Sequence, residues 1–225
     1  AQNLTPDSKM WLMIMLCRLF FPVGYDLLQV VLFVKGVAGS GKSTLAQLMR
    51  FFFHSSHVTT LSSNIEAKFG LSAIYKGLLC ICAEVRDNFG LDQAEWQSAA
   101  SGEEVQIALK NKTAIQHKWT TPFFFLGNEL PGYQNASGSV DRRFFMIEFS
   151  KKVLNSDPKL FDKFMKNVDL FQRKGVSMYH KQMRKSGGKD IWAPGVVGDQ
   201  IMKWRDKMKS SIDVLHAFIS SGKFE

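Results

Sequence analysis

The sequence predicts an α/β fold in which a mostly parallel five-stranded sheet is flanked by helices. Three observations carry this. Short runs at Val30 to Val34, Leu78 to Ala83, Phe123 to Leu126 and Phe144 to Phe149 are almost wholly apolar, and Val58 to Leu61 reads as a further short strand. Continuous apolar runs of this length suit strands buried on both faces, as parallel strands are. Between the runs lie segments with helical periodicity. Thr44 to Phe53, for example, places Leu45, Leu48, Met49 and Phe52 at the i, i+3, i+4, i+7 spacing of a helix packed on a sheet. Gly36 to Ser43 joins the first strand to that helix and reads G-V-A-G-S-G-K-S, a match to G-x-x-x-x-G-K-[ST].

Each residue of that loop has a physical task. Gly36, Gly39 and Gly41 permit backbone conformations and close approaches that a side chain would block. Ser40, Thr44 and the neighbouring backbone N–H groups open onto a helix N-terminus, where partial positive charge favours phosphate. Lys42 is expected to neutralise β/γ oxygens and the Ser43 hydroxyl to hold Mg²⁺. The loop predicts binding of a nucleoside triphosphate, with ATP and Mg²⁺ as the implied cofactors.

The remaining elements follow in order. Thr5-Pro6-Asp7-Ser8 starts a helix over Ser8 to Phe20 that stops before Pro22. Met10 to Phe21 is apolar, but it is too short to span a bilayer and contains Arg18, so a buried helix is expected and no membrane association. Ser62-Ser63-Asn64 offer caps for a helix from about Ile65, with Glu66 in its first turn. The third strand delivers Glu84 at its C-terminal edge, where ligands of open α/β sheets collect. Glu84 is expected to polarise the attacking water and help hold Mg²⁺, with Asp87 as a weaker partner. Asp92 to Ala100 forms a short helix containing Trp96.

Val105 to Lys118 reads as two strands turning at Lys110-Asn111-Lys112. Its lysines, with His117 and Lys118 further along, suit phosphate contacts, though an exposed turn made soluble by lysine is the plainer alternative. Asn128 ends the fourth strand, placed to orient water on a γ-phosphate. Gly, Pro, Asn and Ser then mark a loop up to Val140. Asp141-Arg142-Arg143 precede the fifth strand, and an arginine there can stabilise transferring phosphate from a neighbouring copy.

After Ser150 the character changes to helical, which divides the chain into residues 1–150 and 151–225. Asp157-Pro158 start a helix whose one face carries Leu160, Phe161, Phe164, Met165, Val168 and Phe171. A shorter basic helix near Ser177 to Lys185 ends at Gly187-Gly188. A last helix from about Asp199 carries Ile201, Trp204, Met208, Ile212, Leu215 and Ile219, with Lys203, Lys207 and Lys209 on a solvated face.

The 225 residues carry a net charge of +9, which favours a polyanionic partner. Cys17, Cys80 and Cys82 make no metal-spaced set, so a structural zinc site is not expected and a reducing compartment is. A start at Ala1 without an initiator Met suggests a piece of a longer polypeptide.

With these pieces in place, the chain resembles the viral superfamily 3 helicases, a branch of the AAA+ ATPases, and in particular the helicase part of the poxvirus-type primase–helicases of large DNA viruses. The likeness runs from about Trp11 to Phe149. It rests on GVAGSGKST (Gly36–Thr44), LLCICAE (Leu78–Glu84), SGEEVQIALKNKTAIQHKWTTP (Ser101–Pro122), FFFLGNELP (Phe123–Pro131) and SVDRRFFMIEF (Ser139–Phe149). The hairpin directly before the fourth strand is the most telling part. The resemblance implies a homo-oligomeric ring, usually a hexamer, around single-stranded or forked DNA, with ATP at each subunit boundary. It assigns DNA backbone contacts to Lys110 and Lys112, less firmly to Lys118. Asn128 takes the sensor role and Arg143 the finger role, with Arg142 the weaker candidate. It further implies a primase domain or other replication proteins as partners and intracellular viral replication sites, in cytoplasm or nucleus. The alternatives are a ring ATPase for initiation, packaging or RNA remodelling and, further off, a small-molecule kinase.

Overall fold

The computed structural model describes residues 2–61, 70–134 and 138–212. The helix expected from Ile65, with its caps and Glu66, and the positions Leu215 and Ile219 lie outside them. Helix α1 (Pro6–Arg18) is capped by Thr5, whose hydroxyl accepts the Ser8 N–H, with Pro6 in the first turn. Then come β1 (Val31–Gly36), α2 (Lys42–Phe51), β2 (Val58–Thr60), β3 (Leu79–Val85), α3 (Gln93–Ser101), β4 (Glu104–Ile107), β5 (Ile115–Lys118), β6 (Phe123–Gly127) and β7 (Phe144–Phe149). Helices α4 (Leu160–Met165), α5 (Val168–Ser186) and α6 (Asp199–Ile212) complete the described chain.

The five-stranded sheet has the order β2-β3-β6-β1-β7 and every pairing in it is parallel. This sharpens the expectation of a mostly parallel sheet. Alternate residues point to opposite faces. Leu32 and Val34 join α1, α2 and α5 in one apolar layer, while Val31 and Phe33 join α3 and the β4–β5 hairpin in the other. Burying both faces makes the strand sequences continuous in apolar residues, and each large side chain so buried contributes about 1.5–3 kcal/mol.

Arg18 shows how an apolar helix accommodates a charge. Its guanidinium bonds both Asp26 carboxylate oxygens and the carbonyls of Leu28 and Val30, so it clamps the chain entering β1. No described helix is long and apolar enough to cross a membrane.

The helices after residue 150 differ from expectation. The first predicted helix ends at Met165, and a single 19-residue helix, α5, replaces the short basic one. The apolar face read as one helix through Phe171 is divided at Lys166–Asn167, and its Val168 and Phe171 belong to α5. Gly175 is there for packing: α5 crosses α1 at this point, and a Cβ would overlap the Cys17 sulfur. Gly187, in the left-handed conformation, ends α5 as expected. Tyr179 on α5, together with Trp192 and Ile201, lies in the same core as α1 and the sheet. The lysines of α6 are less free than a solvated face implies, since Lys207 pairs with Glu148 at 2.9 Å and Lys209 lies 3.5 Å from Asp141.

Candidate functional site

The order β3-β6-β1 sets three C-terminal strand ends side by side, and three expected site residues fall on them. The glycine-rich loop leaves β1 and enters α2 through Gly41, whose φ of 97° is a left-handed conformation that favours glycine. Gly36 has a different reason: a Cβ there would lie 2.5 Å from the Phe149 carbonyl oxygen and 2.9 Å from Ser40 Oγ. The Lys42 ammonium curls back over the loop. It donates to the carbonyls of Gly36 (2.6 Å) and Val37 (2.9 Å), and to Asn128 Oδ1 (2.8 Å) at the end of β6. Partial burial lowers the Lys42 pKa from the ordinary lysine value. All three partners are neutral, so its positive charge has no anion among its hydrogen-bond partners. Ser40 Oγ is buried inside the loop with no hydrogen-bond partner among the described residues. Gly39, Ser43 and Thr44 complete the loop and the first turn of α2.

Glu84 lies near the end of β3, at a break in register between Cys82 and Val85 against β6. Its φ is 59°, a conformation that costs a non-glycine residue about 1–3 kcal/mol. The irregularity puts both Ala83 and Glu84 on the exposed side before Val85 returns to the core. A carboxylate at such a bulge is re-aimed by the backbone. The hydroxyl of Ser43 and the carboxylate of Glu84 are hard oxygen donors of the kind Mg²⁺ takes, so the donor chemistry fits that ion. Asp87 is exposed; its carboxylate accepts its neighbour's N–H at 2.8 Å, and its carbonyl accepts from Gly132.

The two arginines before β7 divide differently from the sequence expectation. Arg143 is 6% exposed. Its guanidinium donates to the Ser139 carbonyl at 2.7 Å and to Ser101 Oγ at 3.2 Å, tying this loop to the end of α3. Burial, then the charge of Arg142, lowers its pKa. Arg142 is the exposed member, and its carbonyl accepts the Trp192 indole N–H at 2.9 Å. Both precede β7, so they sit at the sheet edge opposite the Lys42 loop.

In the hairpin, β4 and β5 pair antiparallel with Glu104 opposite Lys118 and Ile107 opposite Ile115. Lys110 and Lys112 are exposed around Asn111, whose φ of 58° turns the tip. Lys118 lies instead at the base, beside an opposite charge. His117 packs edge-on against Tyr75 at 5.3 Å, with its buried Nε2 unpartnered among the described residues, and does not belong to the tip.

Some residues beside the loop carried no signal in the sequence. The Gln2 amide donates to the Ser40 and Lys151 carbonyls and accepts from the Lys151 N–H, while Val153 N–H donates to the Gly39 carbonyl. The loop is therefore braced by two segments remote from it in sequence. Lys35, Gly36, Val37, Ala38, Asn128 and Glu148 are among the residues lining a cleft of about 360 Å³ beside it. Glu148 could have been suspected as an acid inside an otherwise apolar strand.

A family model described as "Family of unknown function (DUF5906)" matches residues 34–143, just under half of the chain. No curated protein matches. Among solved structures, the apo A form of the NrS-1 C-terminal region is 17% identical, with a TM-score of 0.56 over 96% of this chain and 52% of that one. The apo structure of NrS-1 residues 305–718 is 16% identical, with a TM-score of 0.54 over 90% and 58%. A JCV helicase is 13% identical with a TM-score of 0.41, too low to carry an argument. The chain thus spans little more than half the length of the chains it matches. What these similarities show is the fold: a parallel five-stranded sheet flanked by helices, shared with the NrS-1 C-terminal region.

Proposed function

We propose that this chain is the ATPase core of a ring-forming DNA helicase of the superfamily 3 type. One observation carries the reading. Among the described residues the Lys42 ammonium rests on neutral oxygens at the mouth of a helix, with Asn128 beside it and the strained Glu84 on the next strand. On nucleotide entry Lys42 exchanges those carbonyls for β/γ-phosphate oxygens, a stronger charge-assisted set of bonds. Ser40 and the loop N–H groups close on the β-phosphate. The exchange also frees the Asn128 amide to orient a water, which Glu84 polarises for in-line attack. Ser43 and Glu84 would hold Mg²⁺, which when bound would supply charge neutralisation at the phosphates.

The finger role passes to Arg142. It is exposed and lies across the sheet from its own Lys42 loop, so it serves a triphosphate bound to an adjacent copy. Arg143 anchors the loop that presents it. Lys110 and Lys112 contact the DNA backbone, and hydrolysis moves these tips along the strand.

The test is ATP hydrolysis and strand displacement on a forked substrate. Lys42→Ala abolishes hydrolysis; surviving turnover rules out the assigned site. Mixed Lys42→Ala and Arg142→Ala subunits, each inactive alone, recover part of the activity by complementation. Mixed rings that form and stay inactive rule out action across the interface. Hydrolysis without strand displacement leaves a remodelling ATPase in place of a helicase.

A further inference from the structure

Helix α5 presents a charged face that the site above does not use. Between Asp169 and Asp190 the chain carries six lysines and arginines and no acid. Arg173, Lys174, Lys181 and Arg184 are all exposed, and none is in an ion pair among the described residues. The opposite side of α5, with Gly175 and Tyr179, is buried against α1 and the chain leading to β1. From Arg173 to Lys185, the last basic residue within the helix, this face extends roughly 18 Å at the helical rise.

Two hollows lie along it. One, of about 450 Å³, is lined by Arg173, Lys174, Ser177, Met178 and Lys181. The other, of about 290 Å³, lies between Tyr25–Leu28 and the C-terminal end of α5, including His180, Arg184 and Lys189. At the second, Tyr25 is 55% exposed although its ring stacks on Phe21 at 4.6 Å. Phe21 in turn stacks on Tyr179 at 5.1 Å. The loop beneath is pinned by Asp26, which takes the Arg18 guanidinium and the Tyr179 hydroxyl. Asp26, the acid among the residues lining the second hollow, is thus charge-paired with Arg18.

We propose that this face of α5, with the Tyr25 ring, is a second binding surface for single-stranded nucleic acid. A basic track with a prefixed, half-open aromatic ring is the combination that grips phosphates and stacks bases without sequence preference. An anionic membrane fits less well, because an interfacial helix needs its apolar side for acyl chains and that side of α5 is covered by α1. The surface is separate from the hairpin, which packs on the other face of the sheet. It also needs no nucleotide, so it stands apart from the ATPase reading.

The experiment is fluorescence anisotropy with a labelled oligothymidylate titrated across salt concentrations, using the whole chain without nucleotide. Arg173→Ala/Lys181→Ala/Arg184→Ala reduces the slope of log affinity against log salt by about 2, three phosphate contacts at about 0.7 each. Tyr25→Ala weakens binding about tenfold and has no effect with an abasic oligonucleotide. Lys110→Ala/Lys112→Ala keeps the α5 share of the slope. The proposal is overturned if the triple variant, folded by its melting curve, keeps the full slope. It is equally overturned if the hairpin variant alone abolishes binding, or if Tyr25→Ala binds both oligonucleotides as the parent does. Binding to phosphatidylserine vesicles that the triple variant loses while oligonucleotide binding persists assigns the face to a membrane instead. ATPase activity is read in parallel. Loss of oligonucleotide binding in the α5 variants with hydrolysis intact supports this surface alone, and failure of Lys42→Ala to affect hydrolysis leaves it standing.

Discussion

Replacing Gly175 by alanine pits local preference against packing. In a helix interior alanine is better than glycine by about 1 kcal/mol, so a loosely docked α5 gains stability from the change. In this fold the added Cβ overlaps the Cys17 sulfur, 3.4 Å from the Cys17 Cβ and 3.2 Å from the Met13 sulfur. Cys17 is fully buried, and burial alone pushes its thiol up to about 12. The sulfur has little room to retreat. Overpacking of this kind costs about 1–3 kcal/mol. After the helix-propensity gain, the net loss is about 1 kcal/mol, or about 2–4 °C in melting temperature for a chain of this size. Urea denaturation of Gly175→Ala, Cys17→Ala and the double variant closes a thermodynamic cycle. The double variant is expected to be more stable than the sum of the single changes allows, by about 1 kcal/mol, because the space left by the sulfur admits the methyl. A Gly175→Ala protein as stable as the parent refutes the reasoning, since α1 and α5 then do not touch as described.

Trp192→Phe keeps a ring against Phe145 and under Arg205 but removes the N–H bonded to the Arg142 carbonyl. Losing such a bond is worth about 0.5–1.5 kcal/mol, so on the proposed reading kcat for ATP is expected to fall about twofold to tenfold with nucleotide affinity unchanged, as read by steady-state kinetics beside equilibrium binding. Asp26→Asn tests the buried Arg18 pair through pH. Burial would raise the Asp26 pKa, but the hydrogen bonds and charge of Arg18, with the Tyr179 hydroxyl, lower it overall. A lowered folded-state value means that its stabilisation is complete above the ordinary carboxylate range, near pH 4, and is lost as pH falls through the folded value. Urea midpoints of parent and variant are therefore expected to differ at pH 7 and to converge on acidification below pH of about 4; a gap unchanged to the lowest pH measurable contradicts the pairing.

The sheet was legible because its two-sided burial writes itself as apolar runs, and β7 begins and ends where the run Phe144 to Phe149 does. Lys42 and Asn128 each follow an apolar strand run, so their meeting at neighbouring strand ends was legible, and Lys42 does donate to Asn128. What failed to show depends on residues far apart in sequence. Which of Arg143 and Arg142 is buried is not written in their neighbours: Arg143 is turned inward by the Ser139 carbonyl and by Ser101, 42 residues earlier. The left-handed turn at Glu84 is imposed by the register of β3 against β6, which no single-strand pattern encodes. Gly175 marks the α1–α5 crossing, which depends on Cys17, far away in sequence. Gln2 carried no signal because an isolated glutamine is compatible with almost any surface.

Helix α6 makes the two ends of β7 mechanically dependent. Lys207 holds Glu148, which lines the cleft beside the glycine-rich loop. Arg205 bonds Asp141 at 3.1 Å, one residue before Arg142, and lies over Trp192, whose indole holds the Arg142 carbonyl. Asp141 is 1% exposed, so the Arg205 contact is screened little by solvent, whereas Lys207–Glu148 is partly exposed and weaker. A shift of α6 is therefore transmitted firmly to the arginine pair and more loosely to the cleft. On the proposed reading this asymmetry suits an arginine that must stay rigid to serve a neighbour while its own cleft opens and closes around nucleotide.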